Sequence, residues 1–391
     1  EKTISLQTGG MFMEDLITRL ARALKRRYGQ AIWGMVEEEI SRLSIVGVPP
    51  RTTHNPPHRI KRLQIGLTDR CNLVCRHCPK LPGSNATSIT LSLARFSRYL
   101  SSFSPEWFDI LVVSSGGELT LMENLPDYLY LAKRAGWNDV RFFTNATRIN
   151  DALFEEIIVQ KLIGSIGISI EAANPELYEN IRKSNHETFL GFLKSLTRLR
   201  DLYRSPMKFA FAVTCMRENL HDLENIAGLA VHHGIDEIVM VHIDPFYGAD
   251  SNVKGKLCVP EQHLRTLDRS AVLQVFERVV RIAEDHGISL VLPEPYPEIT
   301  NDDMSRHNVI EGQGYLCTVP FRYVQVDFDG EVFPCCRHKR QEYFGNINKL
   351  DFPSIFENLK YGRLLRSLRV GSKPIDMCRG CGCLLGENLS L

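Results

Sequence analysis

The sequence predicts an α/β fold whose central feature is an open, partial barrel of parallel strands. Short apolar segments rich in β-branched and aromatic residues recur along the chain, as strands buried on both faces require. Amphipathic helical segments lie between them, and repeated strand–helix units imply parallel strands joined by right-handed crossovers. The units between Arg62 and residue 297 are fewer than a closed barrel needs, so we predict a partial (β/α)6 barrel.

The strands and helices of this barrel follow one another in a regular order. We predict strands at 63–68, 109–115, 140–145, 165–171, 208–214 and 237–243, with 288–294 as a candidate seventh. We predict helices between them, for example at 91–104, 151–162, 186–203, 220–233 and 270–286. Barrels of this kind carry their chemistry at the carboxyl ends of the strands, so motifs at those ends are the candidates for function.

Segments of different character flank the barrel. Leucines recurring every four residues near the start predict an N-terminal helical extension, and a proline-rich linker follows it. Near the end, 322–336 predicts a hairpin that turns at Asp329-Gly330, and 353–369 predicts a helix that begins at Pro353. We expect a tag remnant, the extension with its linker, the barrel and a small C-terminal α+β domain over 1–10, 11–58, 59–297 and 298–391.

Composition excludes several classes of protein. The chain has 391 residues, 43% of them hydrophobic and 24% charged, which is ordinary for a globular protein. Its net charge of +1 gives no broad electrostatic footprint for nucleic acid or anionic lipid. No apolar run approaches the roughly 18–20 residues of a membrane span, and no secretory signal is visible. We therefore expect a cytoplasmic protein with neither a nucleic-acid nor a membrane partner.

The 11 cysteines need a reason, because a reducing compartment favours metal binding or catalysis over disulfides. Three of them, Cys71, Cys75 and Cys78, lie within the segment "TDRCNLVCRHCPK" that follows the first strand. A zinc site would require a fourth ligand, which this loop supplies only as His77. A cubane [4Fe–4S] cluster held by three thiolates keeps one iron open for a small molecule. A structural zinc or redox loop is the alternative.

The cysteine spacing, with a ring residue before the last cysteine, resembles the radical S-adenosylmethionine (SAM) superfamily. Further motifs over residues 60–391 are similar to that family. "GGE" ends the second strand, and "FTNAT" follows the third with Ala146 where the family has Gly. "ISIEAANPELYENIRK" resembles the family's Ser-x-Asp segment with its following Arg, and the Asp is Glu171 here.

The resemblance implies SAM as cofactor and a flavodoxin or ferredoxin-type protein as electron donor. Glu118 would accept a hydrogen bond from the SAM amine, and Arg182 would pair with its carboxylate. Backbone of His77 and of Met240–Val241 would contact adenine. The implied cofactor-binding residues are His77, Gly116, Gly117, Glu118, Asn145, Ser169, Arg182, Met240 and Val241.

The C-terminal cysteines resemble the SPASM/twitch extension of many radical SAM enzymes. Their spacing is similar to the shortened version that holds one auxiliary [4Fe–4S] cluster, with ligands Cys317, Cys335, Cys378 and Cys381. Four thiolates would saturate that cluster, which suits electron transfer better than substrate binding. A four-cysteine zinc ribbon is the alternative. Cys336 is a rival to Cys335, and Cys383 is treated as incidental.

The reaction after hydrogen abstraction stays open at this level. The short N-terminal extension favours a small-molecule substrate, such as a carbohydrate-like natural-product intermediate, with a peptide as the alternative. Oxidation with the auxiliary cluster as electron acceptor is the favoured outcome. Epimerisation, crosslinking or a scaffold without turnover are the other hypotheses. Cys215 is the candidate hydrogen donor, and His242 and Asp244 are candidates for proton removal.

Overall fold

The computed structural model describes residues 60–78, 89–114, 116–148, 150–243, 256–257, 260–293, 319–335, 343–368 and 378. The predicted N-terminal helices and linker lie outside these residues. So do five side chains named above, which are Asp244, Cys317, Cys336, Cys381 and Cys383. In the part of the chain that the structure describes, no helix is both long enough and apolar enough to cross a membrane.

One sheet of ten strands organises the described residues, in the order β10-β9-β8-β1-β2-β3-β4-β5-β6-β7. Strands β1 to β7 pair in parallel in chain order, as the repeated strand–helix units predict. The strands are β1 (Ile60–Ile65), β2 (Phe108–Val113), β3 (Val140–Thr144), β4 (Ser165–Ser169), β5 (Lys208–Cys215), β6 (Glu237–His242), β7 (Ser289–Val291), β8 (Tyr323–Val326), β9 (Glu331–Phe333) and β10 (Gly345–Asn346). This mostly parallel, open sheet with helices between its strands confirms the α/β fold class.

Helices lie between successive strands along the chain. They are α1 (Leu93–Ser101), α2 (Leu125–Arg134), α3 (Asp151–Val159), α4 (Pro175–Arg182), α5 (His186–Leu202), α6 (Leu223–His232), α7 (Arg269–Asp285), α8 (Val319–Arg322), α9 (Phe352–Phe356) and α10 (Leu359–Ser367). Side-chain caps start most of them; for example, Asn174 accepts a hydrogen bond from the backbone of Leu177 at the start of α4.

The strand register gives the sheet two chemically different faces. Paired residues of neighbouring strands share a face, and alternate residues along a strand point to opposite faces. The helix face carries buried apolar side chains, and Phe211 of β5 contacts Phe189 of α5 at 6.5 Å between ring centroids. The inner face carries smaller or more accessible side chains, which include Gly167, Ser169, Ala210, Ala212, Thr214, Val239 and Val241. A substrate or cofactor inside the partial barrel would contact the inner face.

The C-terminal hairpin extends the sheet of the barrel rather than standing apart from it. Strand β8 pairs in parallel with β1, and β9 then pairs antiparallel with β8, as the predicted hairpin requires. The turn places Gly330 at φ 82°, a conformation that favours glycine. The ring of Phe352 from α9 contacts Phe103 at 5.0 Å and Phe108 at 5.7 Å. Apolar packing therefore joins the C-terminal segment to the barrel.

The observed helices differ from those named in the sequence analysis in two respects. The single helix predicted over 353–369 is two helices, α9 and α10, because Asn358 is extended and caps α10 by accepting from Tyr361. Helices α2 and α4 were not among the examples named there. Both are short and have a proline in their first turn, so a capping signal was present in the sequence.

Candidate functional site

The cysteine loop, defined here as residues 70–78, follows β1 and is held by backbone hydrogen bonds from distant segments. The amide of Glu118 donates to the Arg70 carbonyl at 2.7 Å, and the Arg76 amide donates to the Ile181 carbonyl at 2.8 Å. Within the loop, the Cys78 amide donates to the Cys75 carbonyl at 3.3 Å and closes a turn. The loop is thus tied to the ends of β2 and α4.

The three thiols of this loop suit an iron–sulfur cluster by their chemistry. Cys75 is 8% exposed, and burial raises the pKa of its thiol to about 11, although the charge of Arg182 opposes that rise. Cys71 and Cys78 are partly exposed. Among the described residues, no three metal-ligating side chains gather closely enough to hold a single metal ion. A cubane places each thiolate on a separate iron, so its ligands need not converge on one point.

Gly117 is required where the second strand end approaches the cysteine loop. A Cβ at this position would lie 2.4 Å from the Arg70 carbonyl oxygen and 2.6 Å from that of Thr68. A Cβ at Gly116 would meet no heavy atom within 4 Å. The close approach of the backbone of Thr68 and Arg70 therefore explains why residue 117 is a glycine, whereas Gly116 borders open space. Of the two glycines in the motif, only Gly116 has room beside it for a ligand.

Glu118 is 2% exposed, and protein donors already contact both of its carboxylate oxygens. Its Oε1 accepts from the Thr120 amide and hydroxyl at 3.1 and 2.7 Å, and from the Thr144 hydroxyl at 2.7 Å. Its Oε2 accepts from the Asn145 amide at 2.5 Å. Since a carboxylate oxygen accepts more than one hydrogen bond, Oε2 retains capacity for a further donor. Glu118 thus joins the carboxyl ends of β2 and β3.

Asn145 connects the end of β3 to the cysteine loop. Its Nδ2 donates to Asn72 Oδ1 at 2.9 Å and lies 3.8 Å from the Cys71 sulfur, a distance that fits a weak N–H···S contact. Its Oδ1 accepts from the amide and hydroxyl of Thr147 at 3.1 and 2.7 Å. The next residue, Ala146, is buried at φ 57°, so the position where the family has Gly adopts a left-handed conformation.

Glu171 and Arg182 form a buried ion pair after β4. The Arg182 Nη1 donates to Glu171 Oε2 at 2.7 Å, and its Nη2 donates to the Asn145 carbonyl at 3.2 Å. Both residues are 2% exposed. His77 lies on the other carboxylate oxygen of Glu171, with Nε2 3.4 Å from Oε1. Burial lowers the pKa of His77, and the Glu171 charge opposes that shift.

The remaining candidates divide between the two faces of the sheet. Ser169 and Val241 lie on the inner face, and Val241 is 50% exposed there. Met240 is buried on the helix face, so only its backbone is available to a ligand inside the barrel. The structure therefore turns Ser169 and Val241 toward the interior of the partial barrel, and directs the Met240 side chain away from it.

The catalytic candidates Cys215 and His242 also lie on the helix face. They are paired in register at the ends of β5 and β6, on the same side as Met240. Cys215 is 0% exposed, and burial raises the pKa of its thiol. The His242 ring stacks on His263 at 4.4 Å between centroids. This placement weighs against direct contact of either side chain with a molecule inside the barrel, and their roles stay predictions.

Two of the auxiliary cysteines are within the described residues. Cys335 follows β9, and Cys378 is partly buried against the main hydrophobic core. Cys317 and Cys381 are outside these residues, so the four-cysteine assignment stays a prediction.

Sequence reasoning missed three residues that build the site. Thr144 and Asn72 lie within motifs already quoted, although the sequence analysis gave them no role, and they hydrogen-bond to Glu118 and Asn145, respectively. Both are polar, and each lies at a strand end or next to a cysteine of the loop, which is a signal that was available. Lys256 donates from Nζ to the carbonyls of Cys75 and Cys78 at 2.9 and 2.8 Å. No motif in the sequence marked it.

Comparisons with known proteins agree with this geometry. The radical SAM superfamily matches residues 65–230, and the SPASM iron–sulfur cluster-binding domain matches residues 317–382. The Bacillus subtilis antilisterial bacteriocin subtilosin biosynthesis protein AlbA is 23% identical over 296 residues. That alignment covers 75% of this chain and 58% of AlbA. The chain therefore spans little more than half of the length of that curated relative.

Solved structures share the fold at low sequence identity. Streptococcus suis SuiB bound to S-adenosylmethionine has a TM-score of 0.62 at 16% identity, over 96% of this chain and 82% of SuiB. SuiB bound to precursor peptide SuiA has a TM-score of 0.59 at 14% identity, over 84% of this chain and 70% of that one. The two matches show that this chain carries a radical SAM domain and a SPASM iron–sulfur cluster-binding domain.

Proposed function

We propose that this chain is a radical SAM enzyme that abstracts a hydrogen atom from a peptide substrate. The observation that carries the cofactor part of this proposal is the cysteine loop, which hydrogen bonds hold against the ends of β2 and α4. Cys71, Cys75 and Cys78 would hold a [4Fe–4S] cluster with one open iron. When bound together, that cluster and SAM supply a 5′-deoxyadenosyl radical.

The residues of this chain would bind and orient SAM beside the loop. Gly116 borders open space, and the free acceptor capacity of Glu118 Oε2 suits an ammonium donor. Arg182 is already paired with Glu171, so a SAM carboxylate would share an established ion pair rather than meet a free cation. Ser169 and Val241 would border the same interior from the inner face of the sheet.

The substrate class is the finer part of the proposal. SuiB was solved with a precursor peptide, and AlbA is a bacteriocin biosynthesis protein, so the relatives favour a peptide. The cysteine pattern instead motivates a second candidate, oxidation of a small natural-product or carbohydrate-like molecule, because it resembles the single-cluster extension. In either case, four thiolates on the auxiliary cluster suit acceptance of an electron, with a flavodoxin or ferredoxin-type protein supplying the first one.

The proposal is tested by SAM cleavage with reduced, anaerobically reconstituted protein. We expect 5′-deoxyadenosine and methionine from the wild type and none from the Cys71→Ala, Cys75→Ala, Cys78→Ala triple variant. We also expect about eight irons in the wild type and about four in that variant, if each cluster is a cubane. Cleavage that survives in the triple variant would refute the assignment of the loop.

Substrate class is decided by a second measurement on the same preparation. Candidate peptides, encoded beside the gene for this chain, are compared with small sugars and amino sugars at matched concentration. We expect only a peptide to increase 5′-deoxyadenosine formation and to change in mass. A mass change confined to a small molecule would favour the second candidate. A change of configuration without a change of mass in unlabelled water would indicate epimerisation.

A further inference from the structure

Lys256 contacts two residues that the proposed function assigns as cluster ligands. Its Nζ donates to the Cys75 carbonyl at 2.9 Å and to the Cys78 carbonyl at 2.8 Å. The same Cys75 carbonyl accepts from the Cys78 amide. One ammonium group therefore bridges the two ends of the turn on which Cys75 and Cys78 stand.

The neighbouring residue fixes Lys256 in this position. The Leu257 amide donates to the Arg76 carbonyl at 2.8 Å, so two consecutive residues together contact three carbonyls of the loop. The Leu257 side chain is 4% exposed and packs in a small cluster with Ile181, Met216 and Ile243. Burial of Leu257 anchors the segment, and the anchored segment holds the ammonium against the loop.

The charge of Lys256 is available to the site as well as its hydrogen bonds. Lys256 is partly buried, and its ammonium lies 2.9 and 2.8 Å from the carbonyl oxygens of Cys75 and Cys78. Partly buried charges are screened less by solvent than exposed ones. A cluster on three thiolates carries negative charge that increases on reduction, so a nearby cation stabilises the reduced form.

We propose that Lys256 is a positioning residue that fixes the cysteine turn and raises the reduction potential of the cluster bound there. This inference rests on the proposed assignment of that cluster to Cys71, Cys75 and Cys78. It goes beyond that assignment because it gives a residue outside every recognised motif a role in the energetics of reduction. A purely structural clamp would hold the turn without setting the potential.

The test compares Lys256→Met, which removes the charge, with Lys256→Arg, which keeps it. Lys161→Met is the matched control, since Lys161 is exposed and precedes the amino end of β4. Iron content is measured first, and then the midpoint potential of the cluster whose electron paramagnetic resonance signal changes on SAM addition. We expect Lys256→Met to lower the reduced-to-oxidised ratio at fixed potential by about threefold or more. Lys256→Arg and Lys161→Met should match the wild type.

If the Lys256→Met variant does not hold its cluster, a second measurement still tests the positioning role of Lys256. Hydrogen exchange of the amides of Arg76 and Cys78 is followed in the full chain without cluster, where we expect exchange faster by about fivefold or more in Lys256→Met. Unchanged exchange would overturn the positioning role, and an unchanged potential in a fully loaded variant would overturn the electrostatic one. If the triple cysteine variant keeps all of its iron, the cluster assignment fails instead, and the exchange result still decides whether Lys256 holds the turn.

Discussion

The Nε2 atom of His77 lies 3.4 Å from Oε1 of Glu171, although His77 follows β1 and Glu171 follows β4. Two strands separate β1 from β4, so their ends would be about 14 Å apart in a flat sheet. The cysteine loop therefore reaches across the carboxyl ends of the intervening strands. This crossing brings the cysteines, Glu118 and Arg182 into one site.

Gly117→Ala should reduce the amount of cluster held by the cysteine loop. The added methyl would lie 2.4 Å from the Arg70 carbonyl oxygen, which is backbone and cannot rotate away. The loop would have to shift, and its ligands with it. Iron content after anaerobic reconstitution measures the effect, with Gly116→Ala as the control, because its methyl enters open space. Equal iron content in the two variants would contradict this account.

Glu118→Gln should destabilise the protein by about 1–3 kcal/mol and weaken SAM binding at unchanged cluster content. The substitution keeps the size of the side chain but removes its negative charge. It leaves fewer acceptors for the Thr144 hydroxyl and the Asn145 amide. Denaturant unfolding and SAM titration of reconstituted protein measure the two effects. If stability falls while SAM affinity is unchanged, Glu118 connects the ends of β2 and β3 but does not bind SAM.

Arg182→Met should lower the free energy of unfolding by about 3–5 kcal/mol, because it leaves Glu171 buried without its main partner. The double variant Arg182→Met, Glu171→Met removes both charges and should recover a large part of that loss. Both are measured by denaturant unfolding under anaerobic conditions. A single variant as destabilised as the double one would show that the buried charge of Glu171 is not the cause.

Ala146→Val should destabilise the protein by about 2 kcal/mol or more. Ala146 has φ 57° and is fully buried, and a β-branched side chain is strained in the left-handed region. Ala146→Gly relieves the strain but removes a buried methyl, so we expect it to stay within about 1 kcal/mol of the wild type. Thermal unfolding of the three proteins side by side tests this ranking of stability. An Ala146→Val variant as stable as the wild type would contradict it.

His186→Phe should make stability less dependent on pH below about 6.5. Burial lowers the pKa of His186, and Glu179, Glu187 and Asp222 oppose that shift. Because the folded pKa lies below the unfolded one, the stability contributed by neutral His186 is complete above about pH 6.5. It is lost as the pH falls toward the folded pKa, by at most about 1.4 kcal/mol per pH unit.

The measurement is the free energy of unfolding of wild type and His186→Phe between pH 7.5 and 5. The phenylalanine ring would keep the contact with Tyr178, whose ring centroid lies 5.1 Å from that of His186. We expect the wild-type curve to fall more steeply than that of the variant in the acidic half of this range. Parallel curves would show that His186 does not contribute.

The site motifs could be located from the sequence because each is short and adjoins a strand end. Apolar segments mark the strands, and every predicted barrel strand is present within a few residues of its expected bounds. The face on which Cys215 lies could also be predicted, because Cys215 is two and four residues after Val213 and Phe211, which are buried on the helix face. The alternation of faces along β5 therefore indicates that the Cys215 side chain points away from the inner face, which its position at a strand end does not show.

The sequence by itself determined the class of chemistry, because three thiols at fixed spacing after a strand limit what the loop can bind. Only the tertiary structure decided the partners of the buried charges. Glu118 meets Thr144, Arg182 meets Glu171, and Lys256 meets the carbonyls of Cys75 and Cys78. These contacts join segments from 11 to 181 residues apart, and they depend on strand register and on the path of the cysteine loop, which local spacing does not specify.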